Sequence, residues 1–171
     1  MNGYKDFITE VSDFPKPGIS FKDISPLLAE QETFRSALVD MGAMVDLPDY
    51  WVGIDARGFI FASALATYFG GGVVLARKKG KLPPPVSSVS YNSEYSYNSL
   101  EINPNPLNER TPIILVDDVL ATGATLKASY ELLTNNGYDV KGIGVLIDLL
   151  YLHEKDFIIN GHKVGSVIQY E

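Results

Sequence analysis

Apolar and polar residues follow each other along the chain in blocks that predict alternating helices and strands. The segment ETFRSALVDMGAMV, residues 32–45, has the apolar spacing of a helix, with one side formed by Phe34, Leu38, Met41 and Val45. GFIFASALATYFGG and LKASYELLTNNG are also helical in pattern and end at glycines, which favour helix ends. Short apolar runs predict strands at YWVGID, GVVLARK, RTPIILVDD and VKGIGVLIDLL, and the tail GHKVGSVIQYE predicts a last strand.

These predicted strands are apolar along their whole length and do not alternate with polar residues. That pattern is typical of a parallel sheet covered on both faces. Repeated strand–helix units therefore predict an α/β fold, an open parallel sheet flanked by helices, with ligands at the carboxyl ends of the strands. The length of 171 residues favours a single domain, and Trp51, at the start of an apolar strand, is expected in its core.

Residues 80–105, GKLPPPVSSVSYNSEYSYNSLEINPN, interrupt this alternation with Pro, Ser, Asn and Tyr. A loop of that length inside a compact domain is usually a lid, a binding loop or a disordered insert. Its Val and Tyr residues favour a short hairpin. We therefore expect a mobile, β-rich lid.

Composition excludes several classes of function. The formal net charge of −7 argues against a protein that binds nucleic acid over its whole surface. The absence of cysteine excludes disulfides and thiolate chemistry. MNGYKDFITEVSDF contains no apolar signal-peptide core, and no run reaches membrane-spanning length, so we expect a soluble cytoplasmic protein. His153 and His162 lack metal-ligand spacing and are expected to be structural or exposed.

The stretch VDDVLATGAT has the composition of an anion-binding loop. Strand, turn and helix in this order place backbone N–H groups and a helix N-terminus at the carboxyl end of a strand. Thr122 and Thr125 add hydroxyl donors, and Gly123 permits close approach of the backbone. There is no Gly-Lys-Ser/Thr ending, so the loop is not a nucleotide-triphosphate loop of the Walker type.

Asp117 and Asp118 directly precede this loop and would meet the part of the ligand that is not phosphate. Carboxylates accept hydrogen bonds from hydroxyl groups or act as indirect metal partners. A phosphate on one side and a diol on the other describe a ribose 5-phosphate. The alternative is an acid pair that caps a helix or binds Mg²⁺ in a phosphotransfer domain, and spacing alone leaves both open.

Further segments have both a functional and an ordinary interpretation. Arg57, in GIDARGF, is suited to binding phosphate oxygens or to capping a helix. RKKGK places four cations in five residues, which form either a solvated surface or a site for a very anionic substrate. Taken alone, Glu94 is an ordinary loop acid. DFPKPGISFKDI predicts an extended, exposed backbone, or an N-terminal arm that packs on the core.

A family resemblance distinguishes these alternatives. Residues 110–133 resemble the phosphoribosyl-diphosphate motif of the type I phosphoribosyltransferases, with an aliphatic strand, two acids and a Thr-Gly-containing loop. Four other segments resemble signature segments of the adenine phosphoribosyltransferase family, in matching order: DFPKPGISFKDISPLL, GIDARGFIFASALA, RKKGKLP and YNSEY.

The resemblance implies the reaction of adenine with phosphoribosyl diphosphate to give AMP and diphosphate, with Mg²⁺ held mainly by the substrate, in a homodimer. It implies a base-binding arm or hood over about residues 1–30, together with the lid. Asp117 and Asp118 would hold the ribose hydroxyls, and the 5′-phosphate would be bound by Ala121, Thr122, Gly123, Ala124 and Thr125.

The resemblance also assigns roles around the diphosphate and the base. Glu94 would act on the imidazole edge of the purine, and Arg57 would be catalytic, near the diphosphate and the base. Candidate diphosphate ligands are Arg57, Arg77, Lys78 and Lys81, and candidate adenine-binding residues are Ile19, Ser20, Phe21, Lys22 and Leu149.

The chain departs from the family pattern at several positions. Lys22 stands where Arg is usual and loses bidentate reach, and Ser96 replaces a Gly. Ala124 also replaces a Gly, and we predict right-handed backbone geometry there, since positive φ would cost Ala on the order of 1 kcal/mol.

Two rival functions are considered. A transferase for 6-oxopurines would resemble this motif but would carry an acid where Ala121 stands and a basic residue near residues 147–150, and both are missing. A non-catalytic regulator that binds phosphoribosyl diphosphate is disfavoured by the negative charge and by the short sequence before the base-binding segment.

Overall fold

A computed structural model describes residues 3–92, 97–104, 110–154 and 156–171. The chain divides into two compact units, Met1–Asp40 and Met41–Glu171. Within the described residues, no helix has the length and apolar character needed to cross a membrane.

The first unit contains a small antiparallel sheet and short helices. A 3-10 helix (Tyr4–Phe7) precedes the paired strands β1 (Thr9–Ser12) and β2 (Ser20–Asp23), which are followed by α1 (Ser25–Ala29) and the start of α2 (Gln31–Ala43). Residues 13–18, between the two strands, are exposed, whereas Lys22 and Ile24 in the second half of the predicted segment are buried. The exposed backbone predicted for residues 13–24 is therefore found only in the first half of the segment. Gly18 turns the chain at φ 84° and donates its N–H to Asp13 Oδ1 over 2.7 Å.

The second unit contains one sheet whose strands, among the described residues, lie in the order β5-β6-β4-β3-β7-β8-β10-β9. Neighbours from β4 to β10 are parallel, which confirms the predicted parallel sheet. The element bounds are β3 (Tyr50–Ile54), α3 (Gly58–Phe69), β4 (Gly72–Lys78), β5 (Ser87–Asn92), β6 (Tyr97–Ile102), β7 (Thr111–Leu120), α4 (Ala124–Thr134), β8 (Tyr138–Leu149), a 3-10 helix (Leu150–Leu152), β9 (Ile158–Ile159) and β10 (His162–Tyr170).

The segment predicted as a β-rich lid forms an antiparallel hairpin. Strands β5 and β6 pair from Ser87↔Ile102 to Asn92↔Tyr97, and β6 joins the edge of the main sheet beside β4. The β-rich character is thus confirmed, and its mobility remains a prediction.

The two faces of the sheet are packed differently. On one face, Val52 and Ile54 belong to an apolar core that also contains Leu126 and Leu132 of α4. Successive strand residues point to opposite faces, so Gly53 lies on the other one, against α3. A Cβ on Gly53 would lie 2.7 Å from the carbonyl oxygen of Gly58 and 2.9 Å from Ala62 Cβ, so glycine allows α3 to approach the sheet. Trp51 is fully buried, as expected.

The bounds of β7 and α2 differ from the sequence prediction. Strand β7 continues to Leu120, so Asp117 and Asp118 lie within the strand and not at its last residues. The cause is β8, because the register continues beyond the acids with Val119↔Ile147 and Leu120↔Asp148. Helix α2 ends at Ala43, before the predicted end at Val45.

The contact at Gly53 generates a stability prediction. Gly53→Ala should lower the free energy of unfolding by about 1–3 kcal/mol, because its methyl group would displace the backbone at the start of α3. Gly144→Ala is a matched control on the neighbouring sheet region, since a Cβ there meets no atom within 4 Å. Urea unfolding of both variants measures the difference, and equal stabilities would contradict the packing account.

Candidate active site

Two strand-to-helix loops lie at the carboxyl ends of neighbouring strands of the sheet. One loop, residues 55–57, connects β3 to α3, and the other, residues 121–123, connects β7 to α4. Because β3 and β7 are parallel neighbours with Gly53 opposite Val116, their carboxyl ends lie side by side. The sequence-predicted residues Arg57, Asp117 and Asp118 are therefore brought together with the second loop.

The second loop forms an open helix N-terminus. Gly123 adopts the left-handed conformation, with φ 79° and ψ 1°, and Ala124 is the first residue of α4. The right-handed geometry predicted for Ala124 is confirmed. The first helical hydrogen bond runs from Lys127 N–H to the Gly123 carbonyl over 2.9 Å. Backbone N–H groups before Lys127 have no acceptor within the helix, and together with the helix dipole they form an anion-binding arrangement.

The lid hairpin reaches the first turn of α4 at Thr125, next to this loop. The hydroxyl oxygens of Tyr91 and Thr125 are 3.3 Å apart, and either can be the donor. Tyr91 therefore places the end of β5 beside the loop. Glu94, the predicted catalytic acid, lies outside the described residues.

Asp118 is the buried member of the acid pair. It is 5% exposed, and its Oδ2 lies 2.8 Å from Arg57 Nη2. The contact is an ion pair without hydrogen-bond geometry, since Oδ2 has no hydrogen-bond partner in the described part of the chain. Arg57 is the N-cap residue of α3, yet its side chain forms no capping hydrogen bond. The geometry thus disfavours the interpretation of Arg57 as a helix cap.

Asp117 faces the start of α3. Its Oδ1 accepts the N–H of Asp118 over 2.9 Å. A Cβ on Gly58 would lie 2.9 Å from the same oxygen, so glycine at the first position of α3 permits this close approach. The β3–α3 loop region therefore touches both acids, Asp118 through Arg57 and Asp117 through Gly58.

Burial disfavours charge on both carboxylates. It raises the pKa of Asp117 well above the usual value, and the neighbouring charge of Asp118 raises it further. Burial also raises the pKa of Asp118, although Arg57 opposes this increase. Since the two acids interact, they titrate as a pair. An apposed pair of this kind can accept hydroxyl donors or a cation.

The cationic segment after β4 is held by two acids. Arg77 Nε lies 3.3 Å from Asp55 Oδ2, and Arg77 Nη1 donates to the carbonyl of Lys81 over 3.1 Å. Glu101, which is 6% exposed, accepts the N–H of Gly80 over 2.9 Å. These contacts connect Arg77 and the Lys81 backbone with the β3–α3 loop, whereas the side chains of Lys78 and Lys81 are exposed.

The predicted base-binding residues belong to both units. Leu149 is the last residue of β8 and is buried, one residue beyond the Leu120↔Asp148 pair at the same sheet edge. Ser20, Phe21 and Lys22 lie in β2 of the first unit, with Ile19 directly before it. The Lys22 ammonium group lies 2.8 Å from Glu10 and donates to Ser20 Oγ over 3.2 Å.

Two residues that contact predicted site residues were missed from the sequence: Asp55, which contacts Arg77, and Tyr91, which contacts Thr125. Glu101, which accepts the N–H of Gly80 between the predicted cations, was also missed. Asp55 follows the apolar residues of β3, which is a usable signal for a residue at a strand's carboxyl end. Tyr91 and Glu101 gave no such signal, because their contacts depend on how the hairpin pairs and packs.

The described residues contain no cluster of three or more His, Cys, Asp or Glu side chains that could hold a metal ion. A cavity of about 660 Å³ lies away from the loops, where the lining includes Met44, Lys141, His162, Lys163 and Gln169, and it contains none of the predicted site residues.

Comparisons with known proteins agree with this geometry. Residues 46–157 match the family model of the phosphoribosyl transferase domain. Adenine phosphoribosyltransferase of Bdellovibrio bacteriovorus is 43% identical over 168 residues, which cover 97% of this chain and 98% of that protein.

Solved structures are also similar over nearly the whole chain. The enzyme of that name from Rhodothermus marinus has a TM-score of 0.90 at 36% identity and covers 98% of this chain and 96% of its own. The Giardia lamblia enzyme in complex with 9-deazaadenine has a TM-score of 0.87 at 31% identity, with 100% and 99% covered. The chain belongs to the adenine phosphoribosyltransferase family, within the family of the phosphoribosyl transferase domain.

Proposed function

We propose that this chain is a purine phosphoribosyltransferase that converts adenine and phosphoribosyl diphosphate into AMP and diphosphate, a purine-salvage reaction. The observation that carries the proposal is the acid pair Asp117–Asp118, of which Asp118 is buried, beside an open helix N-terminus in a chain of this family. A ribose 5-phosphate carries a diol on one side of its ring and a phosphate on the other. It therefore fits an acid pair that is followed within a few residues by an anion-binding helix start.

The sugar phosphate is proposed to lie across residues 117–125. Backbone N–H groups at the start of α4, with the hydroxyls of Thr122 and Thr125, bind the 5′-phosphate. Asp118 Oδ2 is a buried acceptor with no hydrogen-bond partner among the described residues, and a ribose hydroxyl supplies the missing donor. Ala121 and Ala124 have no polar side chains, so they would bind the 5′-phosphate through their backbone N–H groups alone.

The proposed reaction breaks the bond between ribose C1 and the diphosphate oxygen, which keeps the electron pair. Positive charge develops on the sugar ring, and adenine N9 attacks C1 as its proton leaves. Arg57, Arg77 and Lys81 stabilise the charge that accumulates on the leaving diphosphate, with Lys78 as a further ligand, and exclusion of water strengthens this effect. Asp117 and Asp118 orient the ribose and favour the positive charge on its ring.

Mg²⁺ is proposed as the cofactor, bound mainly by oxygens of the substrate. Mg²⁺ sites of this kind typically use one or two carboxylates with substrate phosphates and retained waters. Asp118 Oδ2 pairs with Arg57 but has no hydrogen-bond partner among the described residues, so it fits a ribose hydroxyl or a water on such an ion. Asp117 and Asp118 would thus hold the ion indirectly. When bound, the ion would neutralise charge on the diphosphate.

By family resemblance, Ile19, Ser20, Phe21, Lys22 and Leu149 are proposed as adenine-binding residues. Strand β2 pairs with β1 on one side, so the backbone N–H and C=O groups on its other side point away from β1. Such groups are suited to hydrogen bonds with the edge of a purine base. Glu94 is proposed to hold N7 of the purine. The Giardia relative, whose structure contains 9-deazaadenine, supports a base of this class.

A homodimer is proposed from exposed apolar residues of the second unit, and a cytoplasmic location is proposed because the chain has no cysteine. Ile60 and Tyr68 of α3 are 39% and 48% exposed, and Val73 and Leu75 of β4 are 38% and 37% exposed. Val73 and Leu75 pair in register with Trp51 and Gly53, so they lie on the sheet face that carries α3. Exposed apolar residues on one face of the sheet are suited to contact with a second copy of the chain.

The acid pair imposes a stability cost that supports a role in ligand binding. A carboxyl whose pKa is raised in the folded state destabilises the fold at pH values at which the carboxyl is ionised in the unfolded chain. This cost is absent below the ordinary value of 3.8, and it develops as the pH rises through the raised pKa of Asp117. A residue that served the fold alone would not be selected for this cost.

Asp117→Asn should therefore stabilise the fold at neutral pH by about 1 kcal/mol or more, because it removes a poorly solvated charge. The gain should shrink as the pH falls towards about 4, where Asp117 is protonated in the folded chain. Urea unfolding between about pH 4 and 8 measures this. Asp49→Asn, at an exposed position, is the control. A destabilised Asp117→Asn chain at neutral pH would contradict the assigned direction of the pKa.

Turnover with different bases tests the function itself. With phosphoribosyl diphosphate and Mg²⁺, the chain should form AMP from adenine and release diphosphate, and it should use hypoxanthine, guanine and xanthine poorly. Product chromatography measures each reaction. Preference for any of the three 6-oxopurines would overturn adenine, and binding of phosphoribosyl diphosphate without turnover would favour the regulator.

Glu94→Ala tests the proposed catalytic acid. Loss of a group that assists proton transfer should lower kcat by about 10²-fold or more. The dissociation constant of phosphoribosyl diphosphate should change little, since Glu94 is assigned to the base. Glu131→Ala, on the exposed side of α4, is the control for charge removal. An unchanged kcat in Glu94→Ala would rule out the catalytic role.

A further inference from the structure

The ring of Phe157 packs directly on the phosphate loop at Gly123. A Cβ on Gly123 would lie 2.0 Å from Phe157 Cζ and within 2.9 Å of two further ring atoms, so the edge of the ring occupies the space of a missing side chain. Phe157 comes from the segment between β8 and β9, far from Gly123 in the sequence. No motif in the sequence pointed to this contact.

Phe157 is held from several directions. Its carbonyl accepts the N–H of Val164 over 3.1 Å, which fixes its backbone to β10. Lys127, in the first turns of α4, places Nζ 4.8 Å from the ring centroid, within cation–π range. The ring of His153 approaches with its centroid 5.0 Å away at 61°, an edge-to-face arrangement.

His153 is itself fixed by a buried acid. Its Nε2 lies 2.6 Å from Asp148 Oδ1, and its Nδ1 lies 2.9 Å from the carbonyl oxygen of Glu154. The His153 and Asp148 side chains are 3% and 7% exposed. A carbonyl and a carboxylate accept hydrogen bonds, so each ring nitrogen of His153 faces an acceptor.

These contacts form a continuous path from β8 to the phosphate loop. Asp148 lies directly before Leu149, the residue proposed to pack on the purine, and it pairs in register with Leu120 of β7. From Asp148 the path runs through His153 and Phe157 to Gly123. It therefore joins the strand end on the base side of the proposed site to the loop on its phosphate side.

We propose that Phe157 is a positioning residue for the 5′-phosphate, which holds the 121–125 loop in its binding conformation with support from His153 and Asp148. The inference rests on the proposed function, because it takes this loop as the phosphate site. Gly123 can adopt many backbone conformations, and that freedom must be lost when phosphate binds. A ring packed on Gly123 restricts the loop beforehand and so reduces the entropic cost of binding.

The role differs from that of an ordinary core residue in its kinetic effect. A loss of core packing lowers thermal stability without a selective effect on one substrate. Loss of a loop support should weaken phosphoribosyl diphosphate and AMP, which carry the 5′-phosphate, and should spare adenine. The split between substrates is therefore the readout.

The test compares Phe157→Leu with Tyr130→Leu. Tyr130 lies on α4 and, like Phe157, is a partly buried ring packed on the same core. Phe157→Leu should raise the KM and the dissociation constant for phosphoribosyl diphosphate by about tenfold, with the KM for adenine nearly unchanged. Tyr130→Leu should lower the melting temperature and leave both KM values near those of the wild type.

Two further variants keep the test decisive. Phe157→Tyr adds an oxygen at Cζ, the ring atom nearest the Gly123 position, so it should also weaken the binding of phosphoribosyl diphosphate. This variant replaces Phe157→Leu in the test if Phe157→Leu does not fold. His153→Gln retains a donor for Asp148 but loses the ring contact, and a smaller loss in the same direction is expected.

The outcomes separate this inference from the proposed function. Wild-type protein that does not bind phosphoribosyl diphosphate would contradict the function. If the wild type binds phosphoribosyl diphosphate and Phe157→Leu binds it equally well, the inference alone is contradicted. Where Phe157→Leu does not fold, the same result in Phe157→Tyr contradicts the inference. Equal losses in Phe157→Leu and Tyr130→Leu would also contradict it, because they would indicate a general packing effect.

Discussion

The ion pair between Arg57 and Asp118 joins the β3–α3 loop to strand β7, two residues before the end of that strand. Nη2 and Oδ2 are 2.8 Å apart, and the carboxylate is buried. A buried charge is tolerated when a partner compensates for its lost hydration. Arg57 supplies that partner from the β3–α3 loop, while the acid comes from β7. The position of the β3–α3 loop relative to β7 is therefore fixed by this electrostatic requirement.

Close backbone approach makes this arrangement possible. Gly53 and Gly58 allow α3 to begin directly against β3 and Asp117, and Gly123 allows α4 to begin beneath the ring of Phe157. Each added Cβ would meet backbone or ring atoms at less than 3 Å. The same packing that stabilises the sheet thus places two helix N-termini and two carboxylates at one edge, which is the chemical arrangement that a phosphorylated sugar requires.

Sequence patterns predicted the parts of the structure that depend on local information. The apolar runs predicted β3, β7 and β8, because strands buried on both faces need apolar residues throughout. The same pattern predicted β4, although Val73 and Leu75 on one of its faces are exposed. Asp117, Asp118 and the loop to Thr125 were predicted as one unit, since strand, acid pair and helix start follow directly in the chain. The geometry of Ala124 followed from the cost of positive φ for a residue with a Cβ.

Contacts between distant segments could not be predicted in this way. The extension of β7 to Leu120 depends on pairing with β8, and the support of Gly80 by Glu101 depends on the position of β6. Phe157 is an apolar residue in a polar segment, and nothing local indicates that its ring lies on Gly123. Family resemblance carried the roles of Glu94 and of residues 19–22, which local physics does not specify.

The most direct measurement of the central claim is a crystal structure of the chain with AMP. The account predicts that the 5′-phosphate accepts hydrogen bonds from backbone N–H groups of the 121–125 loop. It also predicts that the ribose hydroxyls donate to Asp117 and Asp118. AMP bound with its phosphate elsewhere, for example in the cavity lined by Lys141 and Lys163, and with no ribose contact to either acid, would contradict the account.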